Sequence, residues 1–171
     1  MTVPFAALVA LIAALLETTV LSELPIAGAT ANLVLVTAVS ATLILGTQDG
    51  MAAAFLGGLL IDLLVPDRPL GAATLSLLVI AGLAILAARF AGPGRRWMAV
   101  ALTVVLTPLF HAMLAVILSL TENAPLLAQP IGTLAVTILV AAFMNGVLAF
   151  PVAAMFAAIE RRFGPAEHVD W

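Results

Sequence analysis

The sequence predicts an all-α, polytopic membrane protein, and three observations carry that prediction. The chain is 64% hydrophobic and only 9% charged over 171 residues, with a mean hydropathy of +1.27. A water-soluble surface carries far more charge. The apolar residues fall into long runs, and a helix needs roughly 20 such residues to cross a roughly 30 Å hydrocarbon core. Brief stretches of Pro, Gly, Asn and Asp separate the runs, and these residues break helices. The length suits one compact bundle over residues 1–171, a single transmembrane domain with no linker to a second.

Six transmembrane helices follow from these runs. Span one covers Val3–Leu21, with Glu17 near its end. No basic region precedes it, so it is expected to be a retained span and not a cleaved signal peptide. Spans two and three, Ala31–Leu45 and Gly50–Val65, are short, and one of them is expected to be tilted or re-entrant. Spans four and five cover Leu70–Phe90 and Trp97–Leu120. Span six begins at Ile131 and is free of charge through Ile159. That run reaches about 44 Å at 1.5 Å per residue. Pro151 is expected to bend it or to mark where it leaves the core.

Arginine placement sets the orientation. With six spans threaded, Arg89, Arg95, Arg96, Arg161 and Arg162 fall on one side and Arg68 on the other. The positive-inside rule then places both termini in the cytoplasm. Phe90, Trp97 and Phe163 lie at the same boundary, where interfacial aromatics belong.

Composition also excludes function classes. There is no cysteine, hence no disulfide, thiol nucleophile or thiolate metal site. The net charge of −3 and two short Arg clusters give no nucleic-acid footprint. Of the two histidines, His168 sits in the polar tail, and without further ligands they build no metal site. No Gly-rich phosphate loop is present. The expectation is a non-enzyme with no cofactor.

Asp62 is the leading candidate residue. A carboxylate at membrane depth is costly and is normally buried against protein or lines a polar cavity. Gly50, Ala54, Gly58 and Asp62 are four apart, so they share one helical face, and small residues there admit a second helix closely. Asp62 serves as a polar anchor, a proton site or a ligand contact, or else as an acid satisfied by a neighbouring helix. Glu17 either pairs with Asp62, lines an outer cavity or reaches interfacial water. His111 follows Pro108 and either shuttles protons or, neutral, bonds a backbone carbonyl that Pro108 frees. Asn145 can hydrogen-bond across helices, an interaction worth only about 1 kcal/mol. Ala6, Ala10 and Ala14 form a second small-residue stripe able to dock another subunit.

Particular stretches are similar to a known family. The run Ala31-Asn32-Leu33-Val34-Leu35-Val36, then Gly46, Gly50, Phe55-Leu56-Gly57-Gly58-Leu59-Leu60-Ile61-Asp62-Leu63 and Pro69-Leu70-Gly71, with Leu15-Leu16-Glu17-Thr18 of span one, resembles the bacterial rod shape-determining protein MreD family. The resemblance implies a multi-pass protein of the bacterial inner (cytoplasmic) membrane. It would be a non-enzymatic scaffold in the elongation machinery that builds lateral peptidoglycan and controls cell shape. Its direct partner would be MreC, with MreB, RodZ, RodA and a class B penicillin-binding protein in the wider complex. The family's bundle looks similar to the S component of energy-coupling-factor transporters, an analogy of fold alone. Two other readings stay open: a substrate-binding S component of a vitamin-type transporter, and a proton-coupled carrier using Glu17, Asp62 and His111.

Overall fold

The computed structural model describes residues 3–66, 69–90, 92, 94–120 and 130–163; Arg68 and His168 lie outside them. The described residues form six α-helices: α1 (Val3–Thr19), α2 (Leu33–Ile44), α3 (Thr47–Leu64), α4 (Ala72–Ala88), α5 (Arg95–Leu120) and α6 (Ile131–Phe163). A short 3₁₀ turn, Leu21–Glu23, follows α1. Each helix packs on the next in the chain, so neighbours run antiparallel.

The bundle is built around its shortest α-helix. Eleven of the twelve residues of α2 are buried, and it touches every other helix. A helix that is apolar all round belongs inside a bundle. At 1.5 Å per residue α2 is about 18 Å long, well short of a roughly 30 Å hydrocarbon core. The remaining helices wall it in, with α1 on α3, α3 on α4, α4 on α5 and α5 on α6.

The walls present small and polar groups inward and large apolar ones outward. On α1, Ala6, Ala10 and Ala14 are fully buried, while Leu8, Ile12 and Leu16 are about half exposed. On α6, Asn145 is fully buried and Phe143 is 71% exposed. Water would drive the opposite sorting, whereas lipid tolerates leucine outside and rewards close helix contact through small residues. The segment Val3–Glu23, α5 and α6 are each long and apolar enough to cross a membrane. Six segments of that kind are expected from the sequence. The difference lies in the middle of the chain: α2 and α4 are apolar but only 12 and 17 residues long, and α3, at 18 residues, carries Gln48, Asp49 and Asp62.

Two boundaries also move. The helix of span three starts at Thr47 rather than Gly50, because Gly46, at φ 124°, turns the chain out of α2 and straight into α3. The helix of span six continues through Pro151 to Phe163. Glu160, Arg161 and Arg162 end its apolar run without ending its helix.

Close approach between helices depends on glycine. At Gly50 a Cβ would overlap Thr42 of α2, and at Gly57 it would overlap the Val34 side chain. At Gly58 it would lie 2.6 Å from Thr74 Cα, a backbone atom of α4 that cannot swing aside. Gly58→Ala is therefore expected to lower the stability of the purified protein in mild detergent by about 1–3 kcal/mol, the usual cost of overpacking. Gly82→Ala, with nothing within 4 Å of the added carbon, is expected to be neutral or stabilising by about 0.4–1 kcal/mol. Thermal unfolding of the two variants side by side checks the pair.

Candidate functional site

Polar chemistry concentrates where α2 and α4 begin. A helix start leaves backbone N–H groups without intrahelical acceptors. In apolar surroundings those groups need partners from the protein itself.

At α4 the partner is Asp62, one turn before the end of α3 and only 3% exposed. Its Oδ2 accepts from the Gly71 N–H at 3.0 Å, the Thr74 N–H at 3.0 Å and the Thr74 hydroxyl at 2.7 Å. Its Oδ1 accepts from the Ala73 N–H at 2.8 Å. One carboxylate thus takes three of the four amides from Gly71 to Thr74, and the Pro69 carbonyl takes the fourth, that of Ala72. Gly71 has φ 98°, a left-handed conformation that a side chain would strain, and this aims its N–H back at Asp62. Gly58, one turn earlier on the same face, lets the two backbones come near enough for these bonds.

At α2 three side chains share the task. Glu17 Oε2 of α1 accepts from the Val34 N–H at 3.0 Å. Asn32, the N-cap, accepts from the Leu35 N–H at 2.7 Å. Asn145 Oδ1 of α6 accepts from the Asn32 N–H at 2.7 Å. The Asn145 amide also donates to Thr107 Oγ1 at 3.0 Å, and that hydroxyl donates to the Thr103 carbonyl at 2.7 Å. A continuous polar chain therefore runs from the start of α2 through α6 into α5. Both acids also meet the positive end of a helix dipole, which favours a negative charge there.

The structure places the remaining candidates as follows. Glu17 and Asp62 make these bonds to different helices. His111 Nδ1 lies 2.9 Å from the Thr107 carbonyl, so that nitrogen carries the proton. This is not the carbonyl freed by Pro108, which belongs to Val104, four residues before the proline. The stripes Ala6, Ala10, Ala14 and Gly50, Ala54, Gly58 are buried against helices of the same chain. They are thus not faces open to a second subunit. Arg95, Arg96 and Arg161 meet at the opposite end of the bundle from Asp62, beside the end of α2. Arg89 and Arg162 are exposed at the last turns of α4 and α6. The described residues contain no group of three His, Asp or Glu able to hold a metal ion.

Open sites flank the bundle. A cleft of about 360 Å³ at the Asp62 end of the bundle is lined by Glu17, Thr18, Ser22 and Thr30, with Ile61 and Pro66. A groove of about 330 Å³ between α5 and α6 is lined by Ala112, Ala115, Ser119, Thr137 and His111. Another lies among the arginines. Comparison with protein-family models, curated proteins and solved structures finds no match to this chain.

Sequence reasoning passed over Asn32, Thr74 and Thr107, each needed to complete a cap or the polar chain. Only Asn32 left a signal, as a capping residue type just before an apolar run. Asp49, just before the expected start of span three, is buried in the first turn of α3.

Asp62→Ala strands three buried amides and a hydroxyl, each worth about 1–3 kcal/mol, so a loss of about 3 kcal/mol or more is expected. Asp62→Asn keeps one acceptor oxygen and is expected to lose less. Hydrogen exchange at the Ala73 and Thr74 amides, beside thermal unfolding, checks this. Protection should fall there first.

Proposed function

We propose that this chain is a six-span scaffold of the bacterial cytoplasmic membrane, with both termini in the cytoplasm. On this reading it belongs with the MreD family. It binds MreC and, through it, supports the elongation machinery that sustains cell shape and lateral peptidoglycan synthesis, without itself being an enzyme.

The observation that carries the proposal is the use made of Asp62. Its hydrogen bonds go to the first turn of α4, including Gly71. Asp62 and the Leu70-Gly71 step are the most specific part of the resemblance, and they form one joint. A carboxylate buried and bonded in this way to four donors on the neighbouring helix shapes a surface. The arginine cluster supports the orientation, because Arg95, Arg96 and Arg161 meet at one end of the bundle.

With both small-residue stripes buried inside the bundle, the membrane helix of MreC needs another face. The α5–α6 groove supplies one: it is apolar, and Ala112 and Ala115 leave room for a helix to come close. Ser119 and Thr137 add hydroxyls for bonds between helices.

A second reading, a vitamin-type S component, is favoured by the cleft at the Asp62 end, where Glu17 and three hydroxyls face apolar Ile61 and Leu64. A concave apolar site with a few polar groups suits a small molecule.

Co-expression with MreC from the same genome, with purification through a tag on one partner, tests the first reading. Stoichiometric co-elution that survives moderate salt is expected. Ala115→Phe is expected to reduce recovered partner about tenfold, equivalent to about 1.4 kcal/mol, with the chain itself still eluting as one species. If the chain elutes alone, the scaffold reading falls. A small molecule extracted from the purified protein would then support the second.

A further inference from the structure

A cavity lies at the end of the bundle where α2 finishes, α5 begins and α6 finishes. It measures about 420 Å³ and is lined by Arg95, Arg96, Trp97, Glu160, Arg161 and Ile44, among others. We propose that it binds the headgroup phosphate of an anionic phospholipid whose acyl chains lie along α5 and α6. This inference requires only that the chain resides in a membrane and is independent of any protein partner.

Charge is the first reason. Three arginines face one glutamate around the cavity. Glu160 lies 3.9 Å from Arg95, and both side chains are about half exposed, so this pair neutralises little of the field. Guanidinium groups crowded around a cavity repel one another unless an anion lies among them. Their planar fork matches a phosphate's oxygens.

The backbone is the second reason. The Met98 N–H bonds the Gly94 carbonyl and so closes the first turn of α5. The amides of Arg95, Arg96 and Trp97 precede that bond and have no acceptor within the helix. They add partial positive charge to the same cavity that the arginine side chains line.

The surroundings separate a lipid from a soluble phosphate. Trp97 is 69% exposed at the rim and packs on Phe150 of α6, with ring centroids 5.6 Å apart. Indoles favour the headgroup level of a bilayer. Farther along α5 and α6, Val104, Val105 and Val147 are exposed, giving acyl chains an apolar track. Glu160 disfavours a doubly charged free phosphate but accepts hydrogen bonds from the hydroxyls of a glycerol headgroup. The structure thus fits phosphatidylglycerol better than phosphatidylcholine, which offers no net charge and no headgroup hydroxyl.

The test uses the whole chain in mild detergent, incubated with equal amounts of phosphatidylglycerol and phosphatidylcholine of matched chains. Native mass spectrometry reads the lipid retained. Phosphatidylglycerol is expected in at least tenfold excess. Arg96→Ala and Arg161→Ala are each expected to lower the ratio about fivefold, near the value of one basic residue at an anionic surface. Arg89→Ala, at the same end but outside the cavity, is expected to leave it within twofold. Equal retention of the two lipids by the unaltered protein overturns the proposal, and this readout does not depend on any variant folding. An equal loss in Arg89→Ala also overturns it, since diffuse attraction then suffices. Displacement by excess glycerol 3-phosphate would make the cavity a soluble-phosphate site and overturn the lipid source.

Discussion

A backbone amide that begins a helix in apolar surroundings has no water to bond, and the architecture follows from that requirement. The central helix α2 is too short to reach both surfaces of a bilayer, so at least one of its ends lies within the apolar layer. Its first amides are met by Glu17, Asn32 and Asn145. The start of α4 is met by Asp62, which takes the Gly71, Ala73 and Thr74 amides, with the Pro69 carbonyl taking that of Ala72. Each acceptor outside the capped helix must sit within about 3 Å of its target, which fixes how α1, α3 and α6 pack. Glycine at 58 then follows as a geometric necessity, because Asp62 reaches the α4 backbone only if the two helices nearly touch, while glycines 50 and 57 let α3 lie equally close to α2.

The same requirement explains why acids lie at membrane depth without an evident catalytic partner. A charge buried there is expensive, but a carboxylate surrounded by converging N–H groups at a positive helix end recovers much of that cost. Asp62 fits this case, with four donors on two oxygens. Glu17, Asn32, Asp62 and Asn145 thus act as structural fasteners. What the molecule offers its environment is the outer surface, where leucine, valine and phenylalanine are interrupted by the α5–α6 groove and the arginine-lined cavity.

The helices were legible in the sequence to within a few residues, because apolar runs and their Pro and Gly breakers report directly on helix and turn. Asp62 stood out for the same reason, as a charge inside such a run. Its partner was not legible: nothing in the spacing between Asp62 and Gly71 states that the next helix takes its first acceptors from the end of α3. Of the three roles open to Glu17, pairing with Asp62 is the one the structure removes, since the two acids cap different helix ends, and Glu17 also lines a cleft. The centrality of α2 was hidden too, since a buried helix and a lipid-facing one are equally apolar. Asn145 gave no hint of its reach, because its acceptor oxygen meets a residue 113 positions away.

The order of these fasteners along the chain has a bearing on biosynthesis. Glu17 precedes α2 and Asp62 precedes α4, so the acid that completes each short helix has already been synthesised when that helix emerges. α1 with α2, and α3 with α4, can therefore leave the ribosome as paired hairpins whose exposed amides are quenched as they enter the membrane. Asn145 comes last. Until α6 arrives, the Asn32 amide lacks its acceptor and Thr107 lacks its donor. The final helix is thus the latch of the bundle, and a chain stalled before it would carry an unfinished polar seam that quality-control proteases could recognise.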